Sequence, residues 1–224
     1  MKIIIGDQMQ MDFSTFIERL TIQLSHSLPG EEVQLIMAPE TRLRYREYYS
    51  SIPNPKKSGV LICIYPKKGI AHTVLMLRPD KQGIHSGQVS FPGGRQDKQD
   101  TDLEATALRE ANEEIGIQKN DVVIIGKLTP LLIPVSSFHV EPFIGYLNYA
   151  PVFSLNKAEV MDVIEMEVQE LLEERMVLRD EFLSGTGLKI NAPYYLVAGH
   201  KVWGATAMML RELEELLRAV YNLD

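Results

Sequence analysis

Gly93 to Ile117 reads GGRQDKQDTDLEATALREANEEIGI, and within these 25 residues lie a glycine turn, a helix start, an acidic cluster and a helix stop. Thr101 and Glu104 stand three apart ahead of an apolar run, the pattern of a capping box in which each side chain serves the other's amide. Gly116 is the residue type that best tolerates a left-handed C-cap, so the helix is expected to end there. Between these ends Leu103, Ala107, Leu108, Ala111 and Ile115 recur at three- and four-residue steps, which predicts an apolar stripe docked on a core. Glu110, Glu113 and Glu114 fall together on an arc roughly 100° wide beside that stripe. Like charges at this spacing repel, and hard divalent cations such as Mg²⁺ or Mn²⁺ are suitable partners for them. The plain alternative is a solvated acidic helix face, partly neutralised by Arg109.

The residues around the cluster decide between these. Arg109-Glu110-Ala111-Asn112-Glu113-Glu114-Ile115-Gly116-Ile117 resembles the second half of the Nudix hydrolase box, with Ala111 at its first aliphatic position. The first half is one residue longer than the general box, and its early acidic position falls on Asp100 or Thr101. Upstream, His85-Ser86-Gly87-Gln88-Val89-Ser90-Phe91-Pro92-Gly93-Gly94 is similar to the signature of the coenzyme A diphosphatase branch. Met76 stands where that branch has threonine, and Gly83 where it has arginine. The resemblance covers roughly residue 57 to the end.

It implies an α/β fold, the Nudix-type α/β/α sandwich with a mixed sheet. It also implies metal ligands at Glu110, Glu113 and Glu114, with Arg109 orienting a box carboxylate. Branches of the family recruit the general base from different places, so Glu113, Glu141 and Glu159 all stand as candidates, with Glu159 preferred outside the box. Arg78, His85, Gly93, Gly94 and Arg95 are the candidate substrate contacts. The implied reaction is cleavage of coenzyme A or its thioesters at the diphosphate. The alternatives are the same chemistry on ADP-ribose or a dinucleotide, or a binding module of the same fold without hydrolysis. Three mutually repelling glutamates kept together argue against the last.

Composition narrows the setting. A net charge of −7 and a pI near 5.3 disfavour a nucleic-acid-coating or anionic-membrane surface, so a small anionic substrate depends on local basic groups and metal. Cys63 is the lone cysteine and lies in an apolar run, which reads as core in a reducing cytoplasm. No apolar run approaches the ~20 residues that span a bilayer.

The remaining elements follow from periodicity. Phe13, Phe16, Ile17, Leu20 and Leu24 predict an amphipathic helix over 12–27 that packs on the domain or on a second subunit, as in a homodimer. Residues 1–56 are taken as a helical extension and linker, with prolines at 53 and 55, and residues 57–224 as the Nudix domain. Arg42, Arg44 and Arg46 with their neighbouring tyrosines are a solvated basic edge or a set of phosphate and adenine contacts. Strands are expected at 60–65, 73–77, 122–133, 138–147, 160–168 and 188–197, and a short helix at 170–176. A last helix over 205–223 should turn Leu210, Leu213, Leu217 and Val220 inward and Arg211, Glu212, Glu214 and Glu215 outward. Trp203 is core packing or a platform for adenine or pantetheine.

Overall fold

The apolar run at 60–65 is the middle of a longer strand, β1 (Lys56–Lys67), which is buried on both faces. This is seen in a computed structural model, which describes residues 11–44, 53–80, 87–173, 178–183 and 187–223. A two-residue turn at Lys68 and Gly69 returns the chain as β2 (Ile70–Leu77), antiparallel to β1. β3 (Val89–Ser90) and β8 (Asp162–Glu167) pair with β2, and β4 (Gly93–Arg95) pairs with the first part of β1. On the other side of β1 lies β7 (Phe138–Tyr146), parallel to it, and β5 (Val123–Lys127) and β6 (Leu131–Ile133) run antiparallel to β7. The result is an eight-stranded mixed sheet. A second sheet of three antiparallel strands comprises β9 (Leu178–Leu183), β10 (Lys189–Val197) and β11 (His200–Trp203).

The helices are α1 (Phe13–Ser25), α2 (Glu31–Leu35), α3 (Glu40–Arg44), α4 (Leu103–Ile115) and α5 (Gly204–Val220). Alternation along β1 assigns them to the two faces of the sheet. Leu61, Cys63 and Tyr65 join Ala107, Ala111 and Ile115 of α4 in one core cluster. Ile62 and Ile64 join Phe16 and Leu20 of α1, Leu35 of α2, and Leu213 and Leu217 of α5 in the other. Each large apolar side chain so buried contributes about 1.5–3 kcal/mol. The expected α/β/α arrangement around a mixed sheet is therefore observed, with α1 and α2 packed against α5 in the same core as the sheet. No described helix is long and apolar enough to cross a membrane.

Several expected boundaries are corrected. The stretch over 122–133 is two strands, because the chain breaks pairing at 128–130, where Thr129 turns its amide and hydroxyl to Glu212. Strand β1 begins inside the expected linker, since Lys56 to Ser58 already pair with β7. Of the helix expected over 170–176, the first residues lie in a 3₁₀ turn at Val168–Leu172, and 174–176 fall outside the described residues. Most informative is α5, where Glu212 and Glu214 are buried and not outward. Glu212 accepts from Gly30 N–H at 3.1 Å, Gln34 Nε2 at 2.7 Å and Thr129 Oγ1 at 2.6 Å, so one carboxylate fastens α2 and the β5–β6 connection to α5. Glu214 accepts from Tyr195 O–H at 2.7 Å and pairs with Arg211 and Arg218. A buried carboxylate is tolerated when hydrogen bonds and cations satisfy it in this way.

Candidate active site

Helix α4 carries the site, and its ends are fixed by side chains close in sequence. Its N-cap is Asp102, whose carboxylate accepts from Ala105 N–H at 2.8 Å, so the capping box expected from Thr101 and Glu104 does not form. A carboxylate one residue nearer the helix supplies the acceptor instead. At the other end Gly116 adopts φ 77° and closes the helix as expected. The helix lies unusually close to the sheet. A Cβ on Gly59 of β1 would stand 2.2 Å from the carbonyl oxygen of Leu103, and one on Gly94 of β4 would stand 2.5 Å from the carboxyl carbon of Glu110. Two glycines thus let α4 descend until Glu110 sits over the β4 backbone.

The carboxylates differ in environment. Glu114 is buried; it accepts from Gly93 N–H at 2.8 Å and lies 3.5 Å from Arg78 Nη2. Arg78 is itself held by Ser90 Oγ at 3.1 Å and by the carbonyl of Gly93 at 3.4 Å. Burial pushes the Glu114 carboxyl up to about 7 despite Arg78 and the Gly93 amide. Burial also raises Glu110; Arg109 opposes that rise, while the charges of Glu113 and Glu159 add to it.

Arg109 organises this face. It makes a two-point bond to Asp100, with both N···O distances 2.9 Å, and reaches Glu110 at 3.0 Å and Glu113 at 3.1 Å. Hydrogen bonding to Arg109 holds Asp100 well below the usual carboxylate range. Asp100 is therefore the acid that occupies the early position of the box, and Thr101 lies beside it, reaching only Asp102 at 3.4 Å.

Glu110 and Glu114 open into a cavity of about 440 Å³ whose lining also includes Arg78, Gly93, Gly94, Arg95 and Glu159. Glu159 arrives from outside the helix. Asn156 N–H donates to the carbonyl of Glu114 at 2.9 Å, and the turn that follows closes with Glu159 N–H on Asn156 O at 2.9 Å. The remaining wall is largely apolar, with Leu131, Ile133, Phe138, Met208 and Met209, and with Trp203 stacked on Phe182 at 4.5 Å between ring centroids. Trp203 is thus both packed and part of the wall.

Glu113 is exposed, turned to Arg109 and absent from the lining. Glu141 pairs with Lys127 at 2.7 Å and borders a separate shallow hollow. His85 and Gly83 lie outside the described residues. Sequence reasoning missed Ser90, which holds Arg78, and Ser58, whose hydroxyl donates to Gly94 O at 2.6 Å. Ser90 sits inside the quoted upstream motif, which is a signal of a kind; nothing in the sequence singles out Ser58.

Among the described residues, no three Asp, Glu, His or Cys side chains form a ready metal cage. Glu110 is drawn to Arg109, and Glu114 to Gly93 and Arg78. The donor set nonetheless fits a hard divalent cation: Glu110 and Glu114 share one cavity, and the neighbouring charge of Glu159 raises the proton affinity of both, which a bound cation relieves. Gly94→Ala tests the cradle. Its Cβ meets the mobile end of Glu110, so the fold should survive while the carboxylate is displaced. A kcat loss on the order of 10²-fold is expected with the unfolding temperature within a few degrees of the parent; unchanged turnover would count against a role for Glu110.

Comparison with known proteins agrees with this architecture. The profile of the NUDIX domain matches residues 55–184. The chain is 32% identical over 205 residues to the uncharacterized Nudix hydrolase NudL of Yersinia pestis (strain Pestoides F), covering 90% of this chain and 93% of that one. NudL of Yersinia pseudotuberculosis serotype O:3 (strain YPIII) gives the same figures. Among solved structures, an Ap4A hydrolase binary complex from C. elegans is 19% identical with a TM-score of 0.44, over 53% of this chain and 84% of that one. The chain belongs to the Nudix family, hydrolases of phosphoanhydrides. The family's hydrolases generally use divalent metal ions such as Mg²⁺ or Mn²⁺.

Proposed function

We propose that this protein is a Mg²⁺- or Mn²⁺-dependent diphosphatase that cleaves coenzyme A or its thioesters to 4′-phosphopantetheine and adenosine 3′,5′-bisphosphate. The observation that carries the reading is one cavity lined by Glu110, Glu114, Glu159, Arg78 and Arg95 together with a largely apolar wall. Such a cavity suits a substrate with a diphosphate at one end and a long, weakly polar arm. The upstream motif supports the coenzyme A branch, and Met76, its departure nearest the site, is buried in the core against α4 and does not line the cavity.

When bound, the metal neutralises phosphoryl charge and lowers the pKa of the attacking water. Glu110 and Glu114 are its holders. Arg109 keeps Glu110 in place through a guanidinium anchored on Asp100. Arg78 and Arg95 neutralise the diphosphate oxygens from the wall. Glu159 takes the water's proton, because it lines the cavity while Glu113 and Glu141 are engaged elsewhere. Glu159→Gln is expected to lower kcat by roughly 10²–10³-fold with little change in KM; a KM effect alone would remove Glu159 from the proton transfer.

The reading is tested by a mass-resolved product assay with Mg²⁺ or Mn²⁺ against coenzyme A, dephospho-coenzyme A, acetyl-coenzyme A, ADP-ribose, NADH and a diadenosine polyphosphate. Phosphopantetheine with adenosine bisphosphate as the dominant products supports it. Preferential cleavage of another compound replaces the substrate and keeps the metal helix.

A further inference from the structure

Part of the cavity wall comes from the three-stranded sheet, whose strands β10 and β11 lie beyond the span matched by the NUDIX profile. The antiparallel register sets Phe182 of β9, Ile190, Ala192 and Tyr194 of β10, and Trp203 of β11 on one face of that sheet. Ile190 and Trp203 line the cavity from that face. Ala192, between Ile190 and Tyr194, is fully buried and carries only a methyl group, which leaves room for the larger side chains on either side to lean together. Phe182 stacks on the Trp203 indole, with 4.5 Å between centroids and 14° between planes, and meets Tyr194 edge-on at 5.8 Å and 80°. Lys201 lies 5.4 Å over the Tyr194 ring and pairs with Asp180, which ties β11 to β9 across β10. Trp203 belongs to neither core cluster of the described residues; its neighbours in the second sheet hold it. Phe182 does not line the cavity and Trp203 does, so Phe182 backs the indole and the remaining indole surface is what the cavity meets.

We propose that Trp203, on the side away from Phe182, is a stacking platform for the purine base of the substrate. This deepens the function proposed above and rests on its reading of the cavity as a nucleotide site. A ring already braced on one face gives up little further freedom when a second plane settles on the other, and every nucleobase has a π-face to offer it. The aliphatic side chains of the wall, Leu131, Ile133, Met208 and Met209, serve a flexible apolar arm as well as a ring would. A planar base gains from Trp203 what these side chains do not supply.

The full chain is titrated by calorimetry in Mg²⁺ with adenosine 5′-monophosphate, with ribose 5-phosphate, which keeps sugar and phosphate and lacks the base, and with 4′-phosphopantetheine. None of the three holds a diphosphate, so binding is read without turnover. The parent is expected to bind the nucleotide at least ~10-fold more tightly than ribose 5-phosphate. The nucleotide should also quench the fluorescence of Trp203, the chain's only tryptophan. In Trp203→Leu the preference should fall to within about 2-fold while the other two affinities stay within about 2-fold of the parent, and Trp203→Tyr should recover most of it. Phe182→Leu removes the backing and leaves the indole, and should cut the preference roughly 3-fold. Thermal unfolding checks that Trp203→Leu is folded; if it is not, Phe182→Leu and the quench decide. Equal affinity for the nucleotide and ribose 5-phosphate in the parent, a preference that survives in folded Trp203→Leu, or an equal loss of all three ligands there overturns the platform. A selective loss of 4′-phosphopantetheine overturns it too, by giving the ring to the arm. A failure of coenzyme A to turn over in the product assay removes the proposed substrate and leaves this result intact.

Discussion

Glu114→Gln is expected to lower kcat on the order of 10³-fold or more with the fold retained, because the change removes the charge of a buried oxygen ligand at nearly constant shape. The same variant has a second signature. Burial raises the Glu114 carboxyl to about 7, above the ordinary glutamate value of 4.5, so the folded state binds this proton more tightly than the unfolded chain does. Between about pH 4.5 and pH 7 this group therefore lowers stability as pH rises, by on the order of 3 kcal/mol across the window. Asp100 acts in the opposite sense at lower pH: its depressed carboxyl contributes stability above its unfolded value that is lost as acid protonates it. Urea unfolding of chelator-treated protein at pH 5 and pH 8 separates the two, and glutamine at 114 should abolish the upper-window slope. Turnover within 10-fold of the parent would remove Glu114 from the ligand set, and an unchanged slope would place the carboxylate in a better-solvated setting than its burial indicates.

Gly59→Ala should produce the largest loss of stability of any single methyl group at the site. The added Cβ would meet the Leu103 carbonyl oxygen at 2.2 Å and the Ala107 nitrogen at 3.2 Å, both backbone atoms of α4 that no rotamer change can move. The helix must lift from β1, at about 3 kcal/mol or more, which for a chain of this length lowers the unfolding temperature by roughly 10 °C. Activity should fall with it, since the same movement draws Glu110 away from β4. Thermal unfolding within 2 °C of the parent would show that α4 has slack the packing does not reveal. The contrast with Gly94→Ala is diagnostic, because there the obstructed group is the end of a flexible side chain.

Helix α4 was legible because everything that defines it is local: an apolar stripe at helical steps, a glycine stop and acidic residues near its start. The one-residue error at its N-cap arose from neighbouring acids of equal promise, and only the structure shows that Asp100 is taken by Arg109 while Asp102 caps. Glu110 and Glu114 were legible as a pair, and the family resemblance offered Glu159 as one of three candidate bases. What spacing could not reveal is that Glu113 turns away to Arg109, since i, i+3 and i+4 place side chains on one face without fixing their direction. Glu212 and Glu214 were misread for a related reason. Charge on a helix ordinarily marks the solvent face, and the partners that make burial tolerable for Glu212, namely Gly30, Gln34 and Thr129, lie 83 or more residues away in sequence. The apolar wall of the cavity was hidden in the same way, being assembled from β6, β7, β10 and α5.

The joining of α1 to α5 sets the order in which the chain can complete itself. Arg19 donates to the carbonyl of Val220, 201 residues later, and the face of β1 and β2 opposite α4 is covered largely by these two helices. A chain emerging from the ribosome carries α1 early and must wait for α5 before that face can close. The slow, non-local step therefore waits until α5 has emerged. A product truncated before Gly204 would keep the catalytic helix and display an open apolar sheet, and so be a target for chaperones and proteases before it could act as an enzyme.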